Sequence, residues 1–410
     1  MPIPAPRFLL PAALLFLAAC SEQKKAPAET AETAAPAPPP RPDTTVAATP
    51  PATPPATPAR PDTAYVHDVA AYLAGQSVSK SSDLQPLAAH PTWQAFATDA
   101  EKSWTSYHAT RTTKIEQWAA TELDSVRTAS PSVFYPFSGP DLLNVVTMFP
   151  NSSTYVLVGL EPVGSVPRRA TLSNHRLFPA LKASLWSVLN FSFFRTNDMA
   201  VDLKSVELDG ALPLIMLFAA RTGHQIQEVR YVQLSTEGQL TAADSTVIRR
   251  PGPKVIPGVE LTMLSPAGKE QKVQYFSADI SDWKMGTNKE AVVQYVAGLG
   301  PLATYVKSAT YLMHKPYFSK IRNLILARSN YLLQDDSGIA MKYIPAADWR
   351  FTYYGTYKRP INLFAKHYQP ELTRVYTDTT TRPRPLPFGT GYNWRQNDSN
   401  LLLARRKTTL

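Results

Sequence analysis

The chain predicts an α+β body with a mainly antiparallel sheet and several packed helices, preceded by a disordered tether. Three observations carry that expectation. Helix-like and strand-like periods alternate in blocks. The strand-like block of residues 225–280 is joined by short turns, as hairpins are, rather than by repeated βαβ units. Finally, 12 of the 38 prolines crowd into residues 21–62, with Ala and Thr between them and no aromatic residue. A stretch of that kind cannot bury enough apolar surface to offset its ordering entropy. The remainder of the 410 residues has an ordinary globular composition, 44% hydrophobic and 18% charged overall, and no repeat of 20 to 50 residues.

The first element is a leader. Arg7 precedes an uncharged apolar run from Phe8 to Ala19. A membrane-spanning helix needs about 20 such residues, so this shorter run reads as a secretory signal. Its end, Leu17-Ala18-Ala19-Cys20, resembles the lipobox of bacterial lipoproteins, and Cys20 is the only cysteine of the chain. The resemblance implies that Cys20 is acylated, becomes the mature N-terminus and makes membrane lipid a partner. Each buried CH₂ of an acyl chain contributes about 0.8 kcal/mol, so a multiply acylated cysteine anchors stably. Ser21, where the enterobacterial sorting pattern would retain an aspartate-bearing protein, implies the outer membrane. The expected organisation is a signal at 1–19, a lipidated cysteine and tether at 20–63, and a body at 64–410. The body divides into a helical part, 64–130, and a mixed part, 131–410. The tether favours polyproline II, about 3.1 Å per residue.

Within the body, a short helix is expected around Tyr65 to Ala74. Trp93, Phe96, Ala97, Ala100, Trp104 and Tyr107 recur at helical steps, and Ile115, Trp118, Ala119, Leu123 and Val126 continue them until Pro131. Ser138-Gly139-Pro140 is turn chemistry before a short helix near Asp141, and Thr154 to Leu160 reads as a strand ended by Glu161-Pro162. Helices are expected over 174–194 and 209–220. In 225–280, Val259, Leu261 and Met263 alternate with polar residues, as do Val273 and Tyr275, which predicts a meander of about four strands. Thr287 and Glu290 have capping-box spacing. Apolar stripes at Leu302, Tyr305, Val306, Ala309, Leu312 and Met313, and at Phe318, Ile321, Leu324, Ile325 and Leu332, predict two further helices. Trp349, Phe351 and Tyr353 alternate with Arg350, Thr352 and Tyr354 as a strand does, and Leu401 to Lys407 closes the chain.

Charge is uneven. The net charge is +10, and residues 341–410 hold 12 Lys and Arg against 4 acids. Basic residues interleaved with aromatics suit polyanions. In an envelope protein, those are anionic glycans or lipids rather than nucleic acid. Arg382, Arg384 and Arg395 are the binding candidates, with a solvated basic face as the plainer alternative.

Catalytic motifs are sparse. There is no P-loop, zincin, nucleophile-elbow or dinucleotide fingerprint, and the 7 histidines stand singly, so no metal and no cofactor is expected. Asp335-Asp336-Ser337-Gly338 offers adjacent carboxylates, one of which can act as an acid when the other raises it. The Asp-Ser-Gly triplet is similar to the aspartic protease loop. That enzyme needs two such loops or a dimer, and a hydrophobic strand before the triplet, whereas a helix is expected here. Tyr135, Asp141 and Glu161 form a second candidate site on turn-rich chain. Gly298-Leu299-Gly300-Pro301 reads as helix punctuation or an anion cradle. The expected role is to bind or scaffold an envelope component without catalysis. The alternative is an envelope hydrolase using Asp141, Glu161, Asp335 or Asp336.

Overall fold

The computed structural model describes residues 62–129, 131–191, 203–204, 206–395 and 397–408. The leader, Cys20 and the proline-rich stretch lie outside the described residues. Ten strands build one sheet: β1 Ser132–Tyr135, β2 Thr154–Gly159, β3 Gln225–Leu234, β4 Leu240–Ala242, β5 Ile256–Leu264, β6 Glu270–Ser277, β7 Leu302–Val306, β8 Ser329–Gln334, β9 Trp349–Gly355 and β10 Asn400–Arg406. Their order is β4-β3-β5-β6-β2-β1-β7-β8-β10-β9. Five of the nine pairings are antiparallel, so the body is α+β with a mainly antiparallel sheet, as the sequence pattern predicts. The four antiparallel strands expected over 225–280 are β3 to β6, turning at Thr236-Glu237-Gly238 and at Pro266-Ala267-Gly268, but they are not a simple meander: β5 pairs with β3 on the side away from β4.

The centre differs in kind. β6, β2, β1, β7 and β8 run parallel to one another. Parallel strands are covered on both faces and read as continuous apolar runs, which period alone cannot tell from buried helix. Two expectations are corrected here. Leu302–Val306 is strand β7, not the start of a helix after Pro301. The helix through Ile321 and Leu324 ends at Arg328, and Ser329–Gln334 continues as β8, so a strand directly precedes Asp335. With β7 following Gly300, no helix begins there to cradle an anion. The capping box does not form either: Glu290 sits at φ +62° with no side-chain capping bond, and it pairs instead with Lys320.

Both faces of the sheet are packed. On one, Tyr135, Leu157, Val259, Tyr275, Leu333 and Leu403 form a core with α1 (Thr63–Leu73), α2 (Pro91–Tyr107), α3 (Thr113–Glu122), α4 (Leu142–Met148), α5 (Leu177–Phe191) and α6 (Leu212–Arg221). The aromatic stripe of α2 and α3 is core here: Trp93, Trp104, Tyr107 and Trp118 are buried. The other face carries Phe134, Val156, Phe276, Leu332 and Leu402 against α7 (Asp282–Thr287), α8 (Ala291–Ala297) and α9 (Ser319–Arg328). The strict alternation of neighbours such as Phe134 and Tyr135 between two cores is the period-2 geometry of a strand.

One row of the first face is rich in tyrosine. Tyr231, Val259, Tyr275, Leu157 and Tyr135 are register partners across five strands. The Tyr305 ring lies 4.7 Å from that of Tyr135. Three of these tyrosine hydroxyls reach the loops at one edge of the sheet: Tyr231 meets Val166 N, Tyr275 meets Glu161 and Tyr135 meets Asp141.

Candidate functional site at the carboxyl edge of the parallel strands

In chain order the parallel block reads third, second, first, fourth, fifth strand. The order reverses between β1 and β7. In open sheets of this order, ligands bind outside the carboxyl ends of the strands at the point of reversal, because the adjoining loops diverge there and leave a crevice. The loops at this edge follow β1 (Pro136 to Asp141), β2 (Leu160 to Pro162), β7 (Lys307 to Tyr311) and β8 (Asp335 to Gly338). Asp141, Glu161, Asp335 and Asp336, widely separated in sequence, all lie at this one edge, and all are buried.

The loop after β1 is organised by Asp141. Its Oδ1 caps α4, accepting from Asn144 N at 3.2 Å and from Asn144 Nδ2 at 2.8 Å. Its Oδ2 accepts from Tyr135 OH at 2.8 Å and pairs with Lys307 Nζ at 2.9 Å. Both charged side chains are 2% exposed. Burial first, and the Asp141 charge second, hold the Tyr135 hydroxyl well above its ordinary value, so it stays a proton donor. The ion pair therefore bridges the two strands that flank the reversal.

The loop after β7 is strained. Ser308, Thr310 and Tyr311 have φ of +52°, +53° and +54°, and Phe137 after β1 has +59°. Non-glycine residues in this region cost on the order of 1 kcal/mol each or more, and persist where the surroundings over-determine them. Among the described residues four other non-glycine residues share the region, at Glu207, Lys289, Glu290 and Arg382. The determinants of the β7 loop come from the loop after β8 and from Tyr392. Asp335 Oδ2 accepts from Ser308 N at 2.9 Å, Ser337 Oγ accepts from Ala309 N at 2.8 Å, and Tyr392 OH donates to Ser308 O at 2.8 Å. Asp336 meets Tyr311 OH in a short contact and accepts from Asn400 Nδ2 at 3.0 Å. Burial raises both acids, against the hydrogen bonds that Asp335 receives. Burial and the neighbouring Asp335 together lift Asp336 to about 7.

Glu161 ends the second parallel strand. Its backbone oxygen accepts from Tyr275 OH at 2.7 Å, and its Oε2 lies 3.3 Å from the same hydroxyl. Oε1 has no hydrogen-bond partner among the described residues. The carboxylate lies over the turn after β1: a Cβ at Gly139, where φ is +53°, would come within 2.9 Å of Oε1. Gly159 is required for the same approach, since a Cβ there would collide with Oε2. Glycine at both places lets an acid at the end of β2 rest against the β1–α4 turn.

This arrangement selects by charge. Dinucleotide-binding domains put a pyrophosphate on the helix N-terminus after the first strand, where backbone N–H groups and the helix dipole favour an anion. Here Asp141 already caps that terminus and Glu161 overhangs it, so a phosphate would meet two carboxylates. A neutral or cationic ligand meets an acceptor instead, and a ribose diol is the usual partner of an acid at the end of the second strand.

Among the described residues no hydrogen bond or ion pair joins the three basic candidates to the four acids of this edge. Arg384 Nη1 pairs with Glu122 at 2.6 Å, Arg395 lies over the Trp394 ring at 5.3 Å, and Arg382 is exposed. The strand before the Asp-Ser-Gly triplet meets one requirement of the protease loop, but the chain holds a single such triplet. Among the described residues no group of three His, Cys, Asp or Glu is placed to hold a metal ion. A cavity of about 890 Å³ lies against Tyr65, Pro162, Gly164, Arg168, Tyr231 and Arg249, beyond the loop after β2, and none of the four acids lines it. Sequence reasoning missed Lys307, Ser308, Tyr311 and Asn400. A lysine in the apolar run Tyr305-Val306-Lys307 was the available clue. Comparisons with protein-family models, curated proteins and solved structures find no match to this chain.

Proposed function

We propose that the body binds a neutral or cationic nucleoside-type ligand at the carboxyl edge outside β1 and β2, beside the point where the strand order reverses, with Glu161 accepting from the ribose hydroxyls. The observation that carries this reading is the placement of Glu161, at the end of the second strand of a parallel block in this order, with Oε1 uncommitted. The fold alone assigns no reaction, so the proposal is one of binding. Asp335 and Asp336 spend their oxygens on the loop after β7, on Tyr311 and on Asn400, which favours a positioning role over paired-carboxylate hydrolysis.

The test is calorimetric titration with adenosine, S-adenosylmethionine as the cationic nucleoside, and NAD and ATP as anionic ones. Adenosine or S-adenosylmethionine should bind, and NAD and ATP should bind at least about tenfold more weakly. Glu161→Gln should weaken the binding about tenfold or more, the scale of a hydrogen bond to a charged group. Equal affinity for NAD, or an unchanged Glu161→Gln variant, removes the proposal.

The lipobox resemblance supports a second half of the reading, that Cys20 tethers this binding body to the cell envelope, with the outer membrane as the inferred site. Metabolic palmitate labelling should mark the parent chain and not Cys20→Ser; an unlabelled parent would sink the placement while leaving the ligand site untouched.

A further inference from the structure

The carboxyl edge near β7 and β8 is flanked by an unusual surface. Leu363 is 77% exposed, Trp283 72%, Tyr317 51% and Tyr368 48%. Contacts link the segments that carry them. Trp283 belongs to α7, whose Asp282 carboxylate accepts from Ser319 N at 3.0 Å and from Lys320 N at 2.9 Å, two and three residues beyond Tyr317. His314, just before Tyr317, packs 5.5 Å from His367, and Tyr311 packs 4.9 Å from Phe364. Segment 362–368, with Leu363 and Tyr368, therefore lies alongside segment 311–318.

Lysines sit beside its aromatic rings, with Asp279 and Glu371 the exposed acids close to Trp283 and Tyr368 in sequence. Lys284 Nζ sits 4.5 Å over the Trp283 ring, Lys315 Nζ 5.7 Å over Tyr317, and Lys342 Nζ 4.9 Å over Tyr343. Lys315 and Lys366 act electrostatically on His367, and Lys342 acts on His314, which ties these cations to the same neighbourhood. None of Lys284, Lys315, Lys342 and Lys366 is in an ion pair among the described residues. Two other nearby acids are committed, Asp282 to the start of α9 and Glu290 to Lys320 at 2.7 Å.

We propose that this face docks on a lipid surface bearing anionic headgroups. Exposed aliphatic and amphipathic aromatic side chains sit at the level of headgroups, and lysines keep their stems on apolar surface while their ammonium groups meet phosphate. Unpaired lysines supply the attraction to an anionic leaflet. No described helix is long and apolar enough to cross a membrane, so the association is one of surface contact. The proposal rests on neither the nucleoside reading nor the acylation of Cys20.

The experiment uses the full chain carrying Cys20→Ser, so that no acyl group masks docking, in co-sedimentation with two kinds of vesicle. One is phosphatidylcholine alone and the other equal parts phosphatidylcholine and phosphatidylglycerol. The expected result is salt-sensitive binding at least about tenfold stronger to the anionic vesicles. Trp283→Ala, Tyr317→Ala and Leu363→Ala together should weaken it about tenfold or more, with the circular dichroism spectrum unchanged because all three side chains are exposed. Lys284→Gln, Lys315→Gln and Lys366→Gln together should abolish the preference for phosphatidylglycerol. A triple alanine variant that binds as its parent does would place the lipid contact elsewhere, the leader included, and overturn the proposal. Absence of binding to either vesicle would overturn it too, and leave the face to a protein partner.

Discussion

The acids at the carboxyl edge and the bases of residues 341–410 are both dense in charge, and the fold treats them in opposite ways. Asp141, Lys307, Asp335 and Asp336 are buried, and each is matched to specific partners. The C-terminal bases act as pins at the surface, Arg384 and Lys407 exposed and Arg405 and Arg406 half-buried. Arg384 reaches Glu122, Arg405 reaches Thr352 Oγ1 at 3.1 Å, Arg406 donates to Ser329 O at 2.9 Å and Lys407 donates to Ala346 O at 2.9 Å. Charge held out of water must be paired and is expensive to disturb; charge left in water is worth little wherever it points. Net charge is concentrated in 341–410, while the groups under constraint are a few acids at the carboxyl edge of the parallel strands.

The sharpest break of this contrast is Lys307→Met. It leaves Asp141 buried beside an uncharged side chain and should cost about 3–5 kcal/mol. Adding Asp141→Asn, which can still cap α4, should restore stability to within about 2 kcal/mol of the parent. Urea unfolding of the single and double variants checks this, and a single variant as stable as the parent would mean that the pair is not sealed from water.

A smaller effect concerns pH. The native value of Asp336 is raised to about 7 by burial and by Asp335, from an ordinary value near 4. Between about pH 4 and 7 the folded state keeps a proton that the unfolded chain has lost. The contribution of Asp336 to stability is therefore full below about pH 4 and is lost as pH rises through about 7. His314 works in the opposite sense: burial, His367 and Lys342 lower it to about 4, so its contribution is present above its ordinary value and lost as pH falls through about 4. The two slopes oppose each other in the parent. Asp336→Asn should expose the histidine's share, a rise of stability with pH relative to the parent on the order of 1 kcal/mol per pH unit between 5 and 6.5. Parallel curves for parent and variant would show that Asp336 titrates normally.

The smallest effect belongs to the other side of the contrast. Arg384 is 57% exposed in its pair with Glu122, and Arg384→Ala should cost less than about 1 kcal/mol and less still in high salt. A loss approaching that of Lys307→Met would erase the distinction between the two regions.

Much of this architecture was legible in the residues. Alternation in Val259, Leu261 and Met263 marks β5, and Trp93, Trp104 and Trp118 mark a buried helical stripe. Tyr135, Asp141, Glu161, Asp335 and Asp336 stood out as acids and a tyrosine at turns, and the fold brings them to one edge. What the sequence did not reveal is the parallel centre. Leu302–Val306 and Ser329–Gln334 are covered on both faces, so neither shows the apolar–polar alternation that identifies a strand. Without β7 the reversal of strand order is invisible, and with it the reason that Asp141 and Asp335 are neighbours. Strain at Ser308, Thr310 and Tyr311 left no residue signature, since none of them is a glycine.

The most direct test of the central claim, that the loops after β1, β2 and β7 form the floor of a ligand site, is amide hydrogen exchange with and without saturating adenosine or S-adenosylmethionine. Slowed exchange confined to the loops after β1, β2 and β7, around Phe137 to Gly139, Glu161 and Ser308 to Tyr311, is the expected result. Protection centred instead on Gly164 to Arg169 and Ser245 to Arg249, around the separate cavity, or no protection anywhere, would contradict it.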